Sequence, residues 1–438
     1  MESTGESLRT PSEINVGLIG LGVVGTGVAD HILNNGLSLF DVTGRTVNLK
    51  KVLVRDVSRP RDIELPAGMM TANSEEILDD PNIHIVVEVM GGTDPAEDYF
   101  KSALAAGKHI VTANKEVMAK SGPELMALAM KNNVNLLFEA SVGGGIPIVG
   151  CMMNELAANE IRSIRSIING TTNYILTKMA HERTGFKEAL GEAQALGYAE
   201  SDPSNDIDGI DAAYKLTILA SLAYRRSFDP ADIYREGISK LDPQDFKYAK
   251  ELGYAIKSLA IANMDNGTVQ LRVYPALVPA EHMLAKVDGV YNAVEVDGSL
   301  SGKVLFHGAG AGREPTTSAV VGDVIEAVRK IGSHSPLLSP HNGTELKVRP
   351  IGDLKSRYYV RLDVSDHPGV LAQIAQVLGD GQISIAAVLQ RDTHPETESA
   401  EIVITTHPAR EESMQKALES MSGLIQVKRV NNTIRIEE

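Results

Sequence analysis

Residues Ile14–Ala29 read I-N-V-G-L-I-G-L-G-V-V-G-T-G-V-A, a β-branched apolar run, then G-x-G-x-x-G at Gly20, Gly22 and Gly25, then the start of a helical pattern. Each glycine answers a separate mechanical need. Gly20 permits the tight turn, Gly22 lets the backbone approach a pyrophosphate, and Gly25 lets the helix pack closely on the sheet. The helix N-terminus at Val23 and Val24 then offers unpaired N–H groups and a partial positive charge to phosphates. Strand, glycine loop and helix in this order predict a dinucleotide-binding unit.

The rest of the chain must accommodate that unit. At 438 residues it exceeds one ordinary core, so two or three domains are expected. Hydrophobic residues at 43% and charged residues at 23% match ordinary globular proteins. No apolar run approaches the roughly 18 residues that span a bilayer, and the polar start lacks a signal-peptide core, which points to the cytoplasm. The single cysteine, Cys151, forbids an internal disulfide and a multi-cysteine zinc site. A net charge of −15 argues against nucleic acid and leaves small molecules as ligands.

From Ile14 to Phe138, short β-branched runs alternate with helical stretches, the pattern of a doubly wound parallel sheet. Strands are expected at Asn15–Ile19, Val47–Val54, Ile83–Val89, His109–Thr112 and Val134–Phe138. Helices are expected at Pro95–Ala106 and Pro123–Lys131, each opening with a proline. Beyond Glu139 the texture becomes α+β. It has a strand at Ile161–Ile168, helices at Phe186–Leu196, Ile210–Tyr224 and Pro243–Lys257, and strands at Val269–Val278 and Val290–Val296. A Gly-rich turn and amphipathic helix follow at Phe306–Arg329, then an aperiodic proline-containing linker. The last segment reads strand, helix, strand, strand, helix, strand, the ferredoxin-like order. The resulting organisation is an α/β nucleotide domain at 11–140 completed by 306–332, an α+β catalytic and dimerisation domain at 141–305, a linker at 333–356, and a ferredoxin-like domain at 357–434.

The second strand ends in V-L-V-R-D after an insertion at Asn34–Arg45, so no acidic residue falls at the usual ~20-residue spacing. Arg55, Arg59 and Arg61 suit the 2′-phosphate of NADP through paired hydrogen bonds. Asp56 suits the ribose of NAD. The residues favour NADP without excluding NAD, and a solvated basic turn remains the alternative.

Four further segments, with the glycine loop, resemble homoserine dehydrogenase: G-G-T-D-P-A at Gly91–Ala96, T-A-N-K at Thr112–Lys115, E-A-S-V-G-G-G-I-P at Glu139–Pro147, and E-S-D-P-S-N-D-I-D-G-I-D-A-A-Y-K at Glu200–Lys215. The resemblance implies interconversion of L-homoserine and L-aspartate 4-semialdehyde with NADP or NAD, in threonine, methionine and isoleucine biosynthesis. It places Thr93, Lys115 and Gly310 near the cofactor and gives Lys115 contact with substrate as well. Lys215 becomes the acid–base group, Glu200 holds the substrate amine, and Asp206 and Asp211 line the pocket. Glu139, Val142, Gly144 and Ile146 match the family's monovalent-cation site, for sodium or potassium. No kinase-sized segment precedes the glycine loop, so a bifunctional aspartokinase is not expected.

The residues are compatible with this chemistry. Hydride reduction of an aldehyde requires a proton for the developing alkoxide, and a lysine ammonium can supply it. Asp211 and Lys215 lie four apart on a helix, in the favourable acid-before-base order, although such a pair is also an ordinary surface ion pair. The acidic run from Glu200 to Asp211 calls for a cationic partner, which a substrate ammonium or Lys215 would provide. Cys151 stands in the apolar context V-G-C-M-M and reads as packing, against a thiol-dependent semialdehyde dehydrogenase. The eleven histidines lack zinc-site spacing. The rival class is a sensor that binds nucleotide and amino acid without turnover.

The segment Y-Y-V-R-L-D-V-S-D-H-P-G-V-L-A-Q-I-A-Q-V-L at Tyr358–Leu378 resembles the opening of an ACT domain. The signature lies at Asp366, Pro368, Gly369 and Val370, where free N–H groups suit an amino-acid carboxylate. The resemblance implies threonine as effector and a homodimer or homotetramer. An assembly-only module is the alternative.

Overall fold

A computed structural model describes residues 11–332, 346–394 and 398–437, with side chains omitted at 391–394. The N-terminal ten residues and the expected linker over 333–345 lie outside the described residues. The chain forms two compact units. One comprises residues 11–161, 217–230 and 298–332, the other residues 162–216, 231–297 and 346–437.

The first unit holds a six-stranded parallel sheet: β1 (Glu13–Ile19), β2 (Thr46–Leu53), β3 (Met70–Thr71), β4 (Ile85–Glu88), β5 (His109–Thr112) and β6 (Leu136–Leu137). The spatial order β3-β2-β1-β4-β5-β6 reverses direction beside β1, the arrangement that opens a ligand crevice at the carboxyl ends of the strands. Every residue of β4 and β5 is buried, as helices on both faces require of a parallel sheet. The helix Val23–Asn34 follows the glycine loop, and the helix Arg313–Lys330 returns to pack on it. There Gly27 is obligatory: a Cβ on it would sit 2.3 Å from the Thr317 hydroxyl. Val28, Ile32, Val320 and Val324 join the core between the two helices and the sheet.

Three expectations need correction. Pro123 does not open a helix but lies inside one, Lys115–Lys131. The Asn114 side chain caps that helix by accepting from the Val117 N–H at 3.1 Å, so the helix nucleates eight residues before the proline. The expected helix Pro243–Lys257 stops at Glu251, and Tyr254–Asp265 is a strand. Gly253 at φ +82° makes the break, which a pattern of apolar positions does not register. The Gly-rich turn expected from Phe306 is the end of a strand, Gly302–Ala309, before the turn proper.

The second unit is built on a mixed sheet. Its strands lie in the order Tyr291–Gly298, Ile161–Ile167, Tyr254–Asp265, Thr268–Pro279, Val427–Ile436, Lys355–Ser365, Ser399–Thr406, Ile385–His394. Tyr254–Asp265 and Thr268–Pro279 form a long antiparallel hairpin. The last four strands, with helices Val370–Asp380 and Glu411–Ser422, make the ferredoxin-like module. Its final strand joins Thr268–Pro279 in parallel, with Ala276 opposite Arg435 and Leu277 opposite Ile436. A shared core extends across the join, where Ile175, Met179, Phe246 and Leu277 pack with Tyr359, Val403 and Ile434.

Candidate active site

In the first unit, the glycine loop has the geometry that the sequence demands. Gly20 adopts φ +98°, and a Cβ on Gly25 would stand 2.1 Å from the Gly20 carbonyl oxygen. Gly22, by contrast, would meet nothing within 4 Å. It is the N-cap of helix Val23–Asn34 without a side-chain cap, and Val23 is 69% exposed. A phosphate group fits this open cradle, and the helix N-terminus would supply its donors.

Arg55 is exposed beside the loop, whereas Arg61 braces it. The Arg61 guanidinium donates to the Leu21 carbonyl at 3.0 Å and to the Asp56 carbonyl at 3.2 Å, leaving its buried Nε without a hydrogen-bond partner among the described residues. The Asp56 carboxylate is engaged by the Ser58 hydroxyl and N–H, which hold its pKa below the usual value.

A buried network that sequence reasoning missed shapes the crevice end of β4 and β5. Glu88 is fully buried, accepting from the Thr112 hydroxyl at 2.8 Å and from the N–H groups of Met90 and Gly91 at 2.8 and 3.1 Å. Burial pushes its carboxyl up, while these donors act the other way. The Thr112 hydroxyl also accepts from the Asn114 N–H, and the Asn114 amide donates to the Gly92 carbonyl at 2.7 Å. This network fixes the loop carrying Thr93 and the first turn carrying Lys115, both half-buried. A lone glutamate at a strand end carries no sequence signal for such a role.

Glu139 lies in a short 3-10 turn. Its carboxylate accepts from the N–H groups of Val149 and Gly150 at 2.9 and 2.7 Å, and its own N–H donates to Asp323 at 2.8 Å. Burial raises both carboxyls, and for Asp323 the charge of Glu139 adds to it. Val142, Gly144 and Ile146 follow in the same loop, where the Ile146 carbonyl accepts from the Ile148 N–H. Gly144, at φ +55°, abuts the backbone of Gly310: a Cβ there would come within 2.5 Å of the Gly310 oxygen. Cys151 is half-buried, and burial raises its thiol pKa, which disfavours the nucleophilic thiolate.

In the second unit, three of the expected residues converge. Lys215 donates to Asp211 Oδ2 at 2.7 Å and to the Ile168 carbonyl at 3.0 Å. The side chains are only 11% and 5% exposed, so this is a buried pair rather than a surface one. Asn169, absent from the sequence-based set, donates to Asp206 Oδ1 at 2.7 Å and to Asp211 Oδ2 at 2.9 Å. An Asn three residues before Thr172 signals a helix cap, which it also is, but nothing in that signal reveals the bridge to Asp206 and Asp211. Glu200 is exposed, with its main-chain carbonyl held by Gln194 at 3.0 Å.

In the ferredoxin-like module, Asp366 and Pro368 form the turn into helix Val370–Asp380, whose N-cap is Gly369 at φ +95° with no side-chain cap. The Asp366 N–H donates to the Glu398 carbonyl at 3.0 Å. The open helix end is thereby presented on a fixed turn. Among the described residues no helix is long and apolar enough to cross a membrane.

Comparison with known proteins agrees with this architecture. Residues 147–325 match the family model "Homoserine dehydrogenase", residues 20–139 match "Homoserine dehydrogenase, NAD binding domain", and residues 358–425 match "ACT domain". A homoserine dehydrogenase of Synechocystis sp. is 44% identical, covering 97% of this chain and 99% of the relative. The crystal structure of a homoserine dehydrogenase from Thiobacillus denitrificans is 41% identical with a TM-score of 0.91, covering 97% of this chain and 98% of that one. A hyperthermophilic archaeal homoserine dehydrogenase solved in complex with NADPH is 29% identical, with a TM-score of 0.62 over 74% of this chain and 99% of that one. With nearly its whole length matched by homoserine dehydrogenases, the chain belongs to the homoserine dehydrogenase family of nicotinamide-dependent oxidoreductases and carries a C-terminal ACT domain.

Proposed function

We propose that Lys215 is the acid–base group for the interconversion of L-homoserine and L-aspartate 4-semialdehyde. The observation that carries this is the buried ammonium clamped by Asp211 and the Ile168 carbonyl. When bound, the nicotinamide supplies or accepts the hydride at carbon four. As the alcohol is oxidised, Lys215 in its neutral form accepts the hydroxyl proton. In reduction its ammonium returns that proton to the forming alkoxide, and Asp211 stabilises the charged form between turnovers. Asp206, Asp211 and Glu200 are assigned to the substrate ammonium, and Lys115, at the mouth of the strand ends, to nicotinamide and substrate.

NADP is the proposed cofactor over NAD. The exposed guanidinium of Arg55 stands just past the end of the second strand, and the Asp56 carboxylate is already engaged by Ser58. Gly20, Gly22, Val23, Val24, Gly25, Thr93 and Gly310 complete the cofactor set.

A monovalent cation, sodium or potassium, is assigned to the loop from Glu139 to Ile146. The carbonyls of Val142, Gly144 and Ile146 and one carboxylate are hard oxygen donors. A cation there would relieve the two buried carboxyls of Glu139 and Asp323. It should raise Tm in sodium or potassium relative to choline at equal ionic strength.

Threonine is the proposed effector at Asp366, Pro368, Gly369 and Val370, in a homodimer or homotetramer working in the cytoplasm. The proposed domain limits stay at 11–140 with 306–332, 141–305 and 357–434. The decisive experiment follows reduced-nicotinamide absorbance after L-homoserine is added to pure protein with NADP or NAD. A homoserine-dependent rise, faster with NADP, is expected. Binding without any rise would instead favour the sensor reading.

A further inference from the structure

We infer that Asn169 is a positioning residue that sets the geometry and the basicity of the lysine–carboxylate cluster, a role that rests on Lys215 being the acid–base group. The orientation of its amide is set by the helix that it caps. The Asn169 side-chain oxygen accepts from the Thr172 N–H at 2.8 Å, capping the helix Gly170–Glu182. A backbone N–H can only donate, so the amide oxygen must face the helix. The NH2 group is thereby turned toward two carboxylates, which when ionised can only accept. Its two hydrogens reach Asp206 Oδ1 at 2.7 Å and Asp211 Oδ2 at 2.9 Å. Asn169 is 8% exposed and Asp211 4%, so water is a weak competitor for the bond between them.

One oxygen carries the consequence. Asp211 Oδ2 accepts both from Asn169 and from Lys215 Nζ. Each donor draws on the same negative charge, so the amide bond weakens the hold of Asp211 on the ammonium and eases release of its proton. The preceding residue takes part as well, since the Ile168 carbonyl accepts from the same Nζ at 3.0 Å. Two consecutive residues at the entry to one helix thus fix the lysine, both aspartates and the helix end itself. Without the amide donors, Asp206 and Asp211 would repel each other and the register of substrate, carboxylate and lysine would loosen.

The test separates positioning from capping, because Asp caps a helix about as well as Asn. Asn169→Asp keeps the cap oxygen and replaces the two donors by a third carboxylate. Full-length wild type, Asn169→Asp, Asn169→Ser and Lys215→Ala are compared for homoserine oxidation across pH, with NADPH binding followed by fluorescence as a control. The ionisation limb of kcat that disappears in Lys215→Ala should move to higher pH by about one unit in Asn169→Asp, since added negative charge favours the ammonium. At pH 7.5 kcat should fall by roughly 10-fold or more while NADPH affinity stays within about twofold. Asn169→Ser, which retains a capping oxygen but loses the two amide N–H donors that span Asp206 and Asp211, should lower kcat and raise the KM for homoserine but not for NADP; it decides the matter if Asn169→Asp does not fold. An unmoved limb in Asn169→Asp, or wild-type kcat and KM in Asn169→Ser, would overturn the inference and leave the role of Lys215 standing. A limb that survives in Lys215→Ala would instead remove Lys215 from the mechanism, and this role of Asn169 with it.

Discussion

Arg361 donates its Nε–H to Asp245 at 2.7 Å across 116 residues of sequence, tying the first ACT strand to the helix Pro243–Glu251. Asp245 is fully buried and also accepts from the Asp242 N–H, from the Asn432 amide and from the Tyr359 hydroxyl. Removing the guanidinium would strand that carboxylate in the interior. Arg361→Ala should therefore cost about 3–5 kcal/mol of stability, the range for breaking a buried pair from one side. Denaturant unfolding would show it, and a cost near that of an exposed ion pair, below about 1 kcal/mol, would refute it.

Lys215→Ala removes the proposed proton carrier and should lower kcat by about 10²-fold or more, with NADPH binding nearly intact. Lys115→Ala, at the cofactor crevice, should affect the KM for NADP as well as kcat. Steady-state kinetics with both substrates varied would distinguish the two. Equal turnover in Lys215→Ala would end its assignment.

Gly22 and Gly25 should respond in opposite ways. A methyl at Gly25 collides with the Gly20 carbonyl, so Gly25→Ala should destabilise the nucleotide unit and lower Tm. A methyl at Gly22 meets only open space. Gly22→Ala should leave stability within about 0.5 kcal/mol of wild type, yet raise the KM for NADP at least tenfold, because the methyl occupies the space a pyrophosphate needs. A matched pair of melting curves and cofactor titrations tests both. A normal KM in Gly22→Ala would mean that phosphate binds elsewhere.

His109 supplies a pH dependence of stability. It is 9% exposed, and burial pushes its imidazole down to about 4, with His84 contributing. The Asn135 N–H donates to His109 Nδ1 at 3.0 Å, a bond that needs an unprotonated Nδ1. Because the folded pKa lies below the unfolded value of about 6.5, the unfolded chain takes up the extra proton. The contribution is whole above pH 6.5 and is lost as pH falls toward 4, up to roughly 3 kcal/mol. His109→Gln should flatten the fall in stability over this window, as read by unfolding at pH 4.5, 5.5 and 6.5. An unchanged slope would rule His109 out as its source.

In the ACT module, the capless helix end at Gly369 predicts that Gly369→Val, which forces a β-branched residue into φ +95°, weakens threonine inhibition at least tenfold. Uninhibited turnover should persist. Titration of threonine against homoserine oxidation checks it. Full inhibition in the variant would move the effector site away from this turn.

What was legible in the chain follows from the range of the forces involved. The glycine triplet and the alternation of strands and helices are local, and they specified the parallel sheet. Asp211 and Lys215 share one helical face, so their pairing was visible, but its burial was not. The break at Gly253 and the helix running through Pro123 were misread because capping by Asn114 and a left-handed glycine override the apolar period. Glu88, Asn169 and Asp245 escaped notice altogether. Their partners lie 24, 37 and 116 residues away in Thr112, Asp206 and Arg361, and single polar residues acquire such roles only after the fold has brought those partners near.

The parallel pairing of Ala276 with Arg435 has a practical consequence for anyone wishing to relieve the proposed feedback control. Cutting the ACT domain off this chain would bare the hairpin edge at Ala276 and Leu277 and expose backbone donors and acceptors ready to pair with another molecule, so a shortened chain is expected to aggregate. Desensitisation is better sought by single substitutions at the turn proposed to hold the effector, which leave that edge covered.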